Sequence, residues 1–142
     1  MALEISGINR LLKKLNNLQN IDIKDDVVEV ANNMRDSIRK KASEFSKKGY
    51  KCIATCEPRC YKNTNCFVDI GLKNDNAPWD EWKKLYFHNF GYEDKGFGNR
   101  FKGMMITNHI LWFDNAVNIA AKSSQEKLKK KVKEKVHKAL GW

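Results

Sequence analysis

The sequence predicts an α+β domain in which a small antiparallel sheet is packed by two N-terminal helices and a long C-terminal helix. Apolar residues recur at helical spacing toward both ends of the chain. Between these segments lie short runs in which apolar and polar residues alternate, as they do in β-strands. The chain has 142 residues, of which 42% are hydrophobic. That length and composition fit a single domain, residues 1–142, with a modest core.

The first two elements are predicted to be helices at residues 1–20 and 22–48. Ser6 is suited to cap the first helix and Asp22 the second, because their side-chain oxygens can accept hydrogen bonds from unpaired backbone N–H groups. Each helix carries an apolar stripe at steps of three or four residues. The stripes are Ile8, Leu11, Leu12, Leu15 and Leu18 in the first helix, and Val27, Ala31, Met34, Ile38, Ala42 and Phe45 in the second.

Residues 51–91 are predicted to form a β region that includes a short helix. Two β-type runs, Lys51–Tyr61 and Cys66–Leu72, flank a polar turn, and Pro58 limits the first run to an edge strand or a bulge. In the second run, period-two alternation places Cys66, Val68 and Ile70 on one face, and Phe67 and Asp69 on the other. Pro78 can then open a helix that Gly91 closes.

The remaining segments are a loop at 92–103 and a basic helix at 112–140. The loop contains three glycines and three aromatics and is expected to be mobile until it meets a partner. The chain carries a net charge of +10. Residues 122–142 contain eight lysines and two glutamates, a net charge of +6, so the final helix holds most of the excess.

A basic helix raises the alternative of a nucleic-acid-binding module, because phosphate neutralisation dominates such affinities. Reading bases also needs arginine, asparagine or stacking aromatics on the same surface. Residues 127–138 contain none of these. If the chain binds nucleic acid, we therefore expect passing, non-specific contact with DNA.

No apolar run approaches the roughly 20 residues that span a membrane. The N-terminal residues also lack the basic start and apolar stretch of a secretory signal. We therefore expect a protein kept in the cytoplasm, with no membrane partner.

Four cysteines lie close together in the β region. In a cytosolic chain such cysteines are more often reduced thiols or metal ligands than disulfides. Successive cysteines are separated by three, three and five intervening residues, which is not the spacing of paired zinc knuckles. We expect buried structural thiols and no metal or cofactor, with a small zinc-supported domain as a second alternative. Its ligands would be Cys52, Cys56, Cys60 and Cys66.

No catalytic set is recognisable, so we expect no enzyme activity. Nucleophilic catalysis needs a nucleophile beside a base that a third group orients, and neither His88, His109 nor His137 lies in such a motif. A histidine–asparagine nuclease built on His88-Asn89 and Asn108-His109 would need a metal-binding set that the sequence does not supply. Gly96-Phe97-Gly98 lacks the spacing of a phosphate-binding loop.

Three motifs give a resemblance that spans nearly the whole chain. Ile5-Ser6-Gly7-Ile8 opens the first helix, Tyr86-Phe87-His88-Asn89-Phe90-Gly91 precedes the glycine-containing loop, and Trp112-Phe113-Asp114-Asn115-Ala116 opens the last helix. In order and character they resemble the HK97 gp10-like family of tailed-phage and prophage neck or tail-completion proteins. The cysteine-rich β region has no counterpart in that pattern.

The resemblance implies a structural virion protein that completes the tail or joins head and tail. Such a protein would act by ring assembly and surface complementarity, in a virion or tail-like particle assembled in the bacterial cytoplasm. The expected partners are copies of itself, in a ring that is expected to be a hexamer, and tail-tube, terminator or connector proteins. The candidate interface residues are Tyr86, His88, Phe90, Tyr92, Phe97, Arg100 and Phe101.

Overall fold

The computed structural model describes residues 2–62, 65–72, 79–94 and 103–142, and it confirms an α+β fold with two N-terminal helices and a long C-terminal helix. The helices are α1 (Ala2–Gln19), α2 (Lys24–Ser43), α3 (Trp79–Phe90) and α4 (Trp112–Leu140), with a short 3-10 helix at Gly49–Cys52. The strands are β1 (Ile53–Thr55), β2 (Arg59–Tyr61), β3 (Asn65–Phe67), β4 (Ile70–Leu72), β5 (Tyr92–Asp94) and β6 (Met104–Ile106).

The described strands form three two-stranded antiparallel sheets, β1–β4, β2–β3 and β5–β6. The predicted strand over residues 51–61 is divided. Lys51 and Cys52 belong to the 3-10 helix, and the segment between β1 and β2, which contains Pro58, is not a strand. Proline has no backbone N–H to offer a neighbouring strand. The predicted alternation in the next run is confirmed, since Phe67 and Asp69 are exposed while Cys66, Val68 and Ile70 are half-buried.

The core lies where α2 crosses α4 and both meet β1 and α3. Ile38, Ile53 and Leu85 are completely buried there. Alanines, including Ala42 and Ala116, stand at the α2–α4 contact, where their small side chains let the helix axes approach closely. The predicted stripe of α2 thus faces the core. Trp112 completes the cluster from the first turn of α4.

Two helix starts differ from the prediction. α1 begins at Ala2, so Ser6 lies inside the helix and does not cap it. α2 runs from Lys24 to Ser43, shorter at both ends than the predicted 22–48. Asp22 Oδ1 accepts a hydrogen bond from the backbone N–H of Lys24 at 2.9 Å and so forms a turn before the helix.

An ionic cluster ties α2 to the second half of α4. Lys135 Nζ lies 2.6 Å from Asp26 Oδ2, and Lys131 donates a hydrogen bond to Glu29 Oε2 at 2.7 Å. Asp26 is buried, and its Oδ2 receives no well-aligned hydrogen bond from any other described group. The Lys135 charge therefore compensates a carboxylate that would otherwise be costly to bury.

The predicted loop at 92–103 is partly a hairpin. Tyr92–Asp94 pairs with Met104–Ile106, so the first three residues of that segment are a strand and the expectation of a mobile loop is wrong there. Residues 95–102 lie outside the described part of the chain. α4 occupies the predicted residues 112–140 and ends at Gly141, whose φ of 71° suits glycine. No helix among the described residues combines the length and apolarity needed to cross a membrane.

Candidate assembly interface

Helix α3 is fixed to the core by one face. Leu85 is fully buried, and its backbone oxygen accepts a hydrogen bond from the indole Nε1–H of Trp112 at 2.8 Å. This bond satisfies the polar atom of a buried tryptophan, as such rings require. The side of α3 that faces away from Leu85, His88 and Asn89 is left to carry surface residues.

That side carries an aromatic surface, which we define as Trp79, Trp82, Tyr86, Phe87 and Phe90. The Trp79 and Trp82 rings meet edge to face with centroids 4.3 Å apart, and Tyr86 and Phe90 lie one helical turn apart at 5.0 Å. Phe90 is 61% exposed. Large exposed aromatic patches on small proteins mark interaction sites, and aromatic side chains dominate interface energetics.

An apolar groove of about 430 Å³ lies beside the aromatic surface, between β4, α3 and the start of α4. One wall is formed by Ile70 and Leu72 of β4, and the other by Trp82, Tyr86 and Phe90 of α3. Trp112 and Phe113 line its floor. The groove can receive apolar side chains from a partner, and its lining also includes the amide side chain of Asn89.

The seven predicted interface residues separate into three groups. Tyr86 and Phe90 are exposed together on the aromatic surface and line the groove. His88 and Tyr92 are half-buried and point elsewhere, into the cluster described next. The other three, Phe97, Arg100 and Phe101, lie outside the described residues.

His88 belongs to a packed cluster on another side of α3. Its ring contacts Phe45 at 5.1 Å, His109 at 5.3 Å and Tyr92 at 5.5 Å between centroids. Burial lowers the pKa of His88, and the nearby His109 and Lys84 lower it further. These surroundings favour the neutral imidazole, and His88 packs as an uncharged ring between Tyr92 of the β5–β6 hairpin and Phe45, just beyond the end of α2.

Asn89 has a role that the sequence did not reveal. Its Oδ1 accepts a hydrogen bond from the backbone N–H of Phe113 at 3.1 Å, and its backbone oxygen accepts one from Leu111 at 2.8 Å. The first N–H groups of a helix have no partner within the helix, and Leu111 supplies no side-chain cap. Asn89 therefore caps α4 from the end of α3 and fixes the angle between the two helices that form the groove.

The four cysteines do not converge on one point. Cys60 and Cys66 are directly opposite in the β2–β3 hairpin and form a disulfide, while Cys52 is buried and Cys56 exposed. The expectation of reduced thiols is wrong for the Cys60–Cys66 pair, because antiparallel pairing brings their Cα atoms within 4.1 Å. Among the described residues, no three histidine, cysteine, aspartate or glutamate side chains group closely enough to hold a metal.

The lysines of α4 divide into structural and free sets. Lys131 and Lys135 pair with acidic residues of α2, and the hydrogen bond to Glu29 raises the pKa of Lys131. The other lysines of the helix are exposed. Any contact with DNA would therefore use that second set, which comprises Lys122, Lys127, Lys129, Lys130, Lys133 and Lys138.

Helix α1 leaves four of the five residues of its apolar stripe exposed to solvent, while Leu18 is half-buried. The side chains of Ile8, Leu11, Leu12 and Leu15 are each between 46% and 58% exposed. A stripe of this kind normally faces a core. The exposed residues make α1 a second apolar surface. The periodicity of the sequence predicts the stripe itself but not whether it is buried or exposed.

Comparison of the chain with protein-family models, with curated proteins and with solved structures finds no match. The choice between functions therefore depends on the residues and surfaces described above.

Proposed function

We propose that this chain is a structural subunit that assembles with copies of itself into a ring and completes the tail, or joins head and tail, of a tailed-phage or prophage particle. The observation that carries assembly is the aromatic surface on α3 together with its groove. A monomer rarely leaves so many large aromatic and aliphatic side chains in water. The resemblance of residues 86–91 and of the two helix openings supports the phage setting.

The amount of buried apolar surface points the same way. Among the described residues, the fully buried large side chains are Ile38, Ile53 and Leu85, whereas α1, α3 and the hairpins all expose large apolar groups. A small core gives a domain modest stability of its own. Burial of the exposed surfaces between subunits would add stability that the isolated chain lacks.

Mass measurement in solution tests the assembly. Analytical ultracentrifugation and native mass spectrometry of the purified chain should show a closed oligomer, and a hexamer of 16.5 kDa chains would weigh about 99 kDa. The chain should also co-purify with tail-tube, terminator or connector proteins expressed beside it. A chain that stays monomeric at all concentrations, alone and with those proteins, and never enters particles would refute the proposal.

The exposed lysines of α4 support a second candidate, non-specific DNA binding. Affinity for a random duplex should then fall steeply with salt, because binding releases counterions. Neutralising Lys129, Lys130 and Lys133 together to glutamine should reduce that affinity and flatten its salt dependence. Lys131 is excluded from the set because it holds α2. Unchanged binding in the triple variant would reject this candidate.

A further inference from the structure

We propose that the β2–β3 hairpin is a redox-sensitive element: formation of the Cys60–Cys66 disulfide orders the hairpin, and reduction of that bond releases it. The redox response belongs to the single chain and goes beyond the proposed function, because it does not require assembly into a ring. Its basis is the position of the disulfide relative to the core.

The β2–β3 hairpin continues a pair of strands that begins in the core. β1 pairs with β4, and Ile53 at the start of β1 is completely buried. Beyond β1, the backbone N–H of Cys56 donates a hydrogen bond to the backbone oxygen of Asp69 at 2.8 Å. β2 and β3 then pair with Cys60 directly opposite Cys66. The disulfide thus lies toward the end of the strand pair that is remote from Ile53.

Little apolar burial holds the two strands of this hairpin together. All three residues of β2 are exposed, and in β3 Cys66 alone is half-buried. The side chains that meet across the hairpin are the ion pair of Arg59 and Asp69 at 2.7 Å and the rings of Tyr61 and Phe67, with centroids 6.4 Å apart. Exposed ion pairs contribute little, and a short two-stranded hairpin is marginally stable in water. The disulfide is therefore the main constraint that keeps the hairpin closed.

The bond is placed for exchange with small thiols and disulfides. Antiparallel pairing holds the two Cα atoms 4.1 Å apart, and Cys60 is exposed to solvent. With oxidised glutathione, one thiolate of the reduced pair attacks a sulfur of the oxidant, breaks its S–S bond and releases one glutathione thiol. The second thiolate attacks the protein sulfur of the resulting mixed disulfide and displaces the other glutathione. Two protein thiols thus become one disulfide, while the oxidant becomes two thiols.

Reduction should open the hairpin without unfolding the domain. Cys60 and Cys66 are six residues apart in the sequence. Closing a loop of that length disfavours the open state by roughly 50-fold in the chain-entropy model. Hydrogen exchange in residues 59–61 and 65–67 should therefore become about 50 times faster in the reduced chain. Exchange in β1 should not change, because Ile53 is held by the core.

The redox state of the surroundings then decides when the hairpin is ordered. Thiols stay reduced in the cytoplasm, whereas disulfides persist outside the cell. If the chain assembles in the bacterial cytoplasm, the hairpin is released during assembly and becomes ordered when the particle reaches an oxidising medium. This timing rests on the proposed function, whereas the response of the purified chain does not.

Hydrogen exchange of the oxidised and the reduced chain tests the inference. After denaturation, iodoacetamide should modify two cysteines of the chain treated with oxidised glutathione and four of the chain treated with dithiothreitol. The double variant Cys60→Ser with Cys66→Ser should show the fast exchange of the reduced chain in either medium. Cys56→Ser is the matched control, because Cys56 is exposed and lies outside the disulfide, and it should respond like the unmodified chain. Circular dichroism confirms that each variant is folded.

Three outcomes overturn the inference. Equal exchange of the hairpin in the oxidised and reduced chains shows that other contacts close it. Four reactive cysteines after treatment with oxidised glutathione show that the pair does not form a bond. Faster exchange throughout α2 and α4 on reduction shows that the bond supports the whole domain and not the hairpin. A monomer with a redox-sensitive hairpin refutes ring assembly alone, and a ring with an insensitive hairpin refutes this inference alone.

Discussion

Removing the side chain of Asn89 tests whether α3 caps α4. In the Asn89→Ala variant the backbone N–H of Phe113 loses its acceptor at 3.1 Å, while the helix and the backbone bond to Leu111 remain. Loss of a capping asparagine costs about 0.5–2 kcal/mol. We expect about 1.5 kcal/mol here, because the bond is partly buried and water reaches the freed N–H less easily.

Urea unfolding, followed by tryptophan fluorescence and circular dichroism, measures this free energy. A loss of 1.5 kcal/mol should lower the melting temperature by roughly 5 °C in a chain of this length. Asn115→Ala is the matched control, because Asn115 is exposed in the first turn of the same helix. Its side chain makes no hydrogen bond with other described residues, so its removal should change stability by less than about 0.5 kcal/mol.

Asn89→Asp separates the lost acceptor from the lost side-chain volume. The carboxylate keeps an oxygen where Phe113 needs it, and a negative charge at the start of α4 is favourable. We expect this variant to retain most of the stability that Asn89→Ala loses. Equal losses in the aspartate and alanine variants, or an Asn89→Ala loss no greater than that of Asn115→Ala, would show that Asn89 does not act as a cap.

Three further changes follow from single contacts. Gly91→Ala should destabilise the fold by about 1–2 kcal/mol, since Gly91 has a φ of +75° and an added Cβ would lie 3.3 Å from a backbone oxygen of β6. Gly7→Ala places alanine in a helix where no atom lies within 4 Å of the added Cβ, so it should stabilise the fold by roughly 0.5–1 kcal/mol. The pKa of His88 is lowered in the folded chain, so unfolding at low pH takes up a proton. The free energy of unfolding should therefore fall as the pH drops below about 6.5, and His88→Gln should reduce this pH dependence. Lys135→Met should cost about 2 kcal/mol in urea unfolding, because the buried Asp26 carboxylate loses its nearer counter-ion and retains Lys131 at 4.0 Å. The exposed Lys133→Met should cost almost nothing. A free energy of unfolding that does not change with pH would contradict the packing of His88. Equal effects of Gly91→Ala and Gly7→Ala, or of Lys135→Met and Lys133→Met, would contradict the contacts described for Gly91 and Lys135.

Periodicity predicted the helices well where a stripe meets the core. The stripe of α2 predicted the burial of Ile38 and Ala42, and the bounds of α4 agree with its pattern. Local signals at helix ends were less reliable, although Ser6 and Asp22 both have the chemistry of a cap. Ser6 lies inside α1, and α2 begins two residues after Asp22. Gly91 was predictable as the end of α3, since glycine readily adopts a positive φ.

The interface was predictable only in part. Tyr86 and Phe90 are one helical turn apart, so a helix brings them together wherever it packs. His88 is the same distance along the sequence from Phe90 as from Tyr86, and helical rotation turns it toward Phe45 and the hairpin. The capping bond of Asn89 joins residues 24 positions apart and leaves no local pattern by which to recognise it.

By itself, the sequence determined the class of fold, the positions of the apolar stripes and the concentration of charge in α4, because these depend on residue type and spacing along one element. Tertiary structure decided which stripe is covered. α2 buries its apolar side between α4 and β1, whereas α1 leaves most of the same kind of stripe exposed to solvent. It also decided which lysines pair and which cysteines bond, since both require partners brought together by the packing of separate elements.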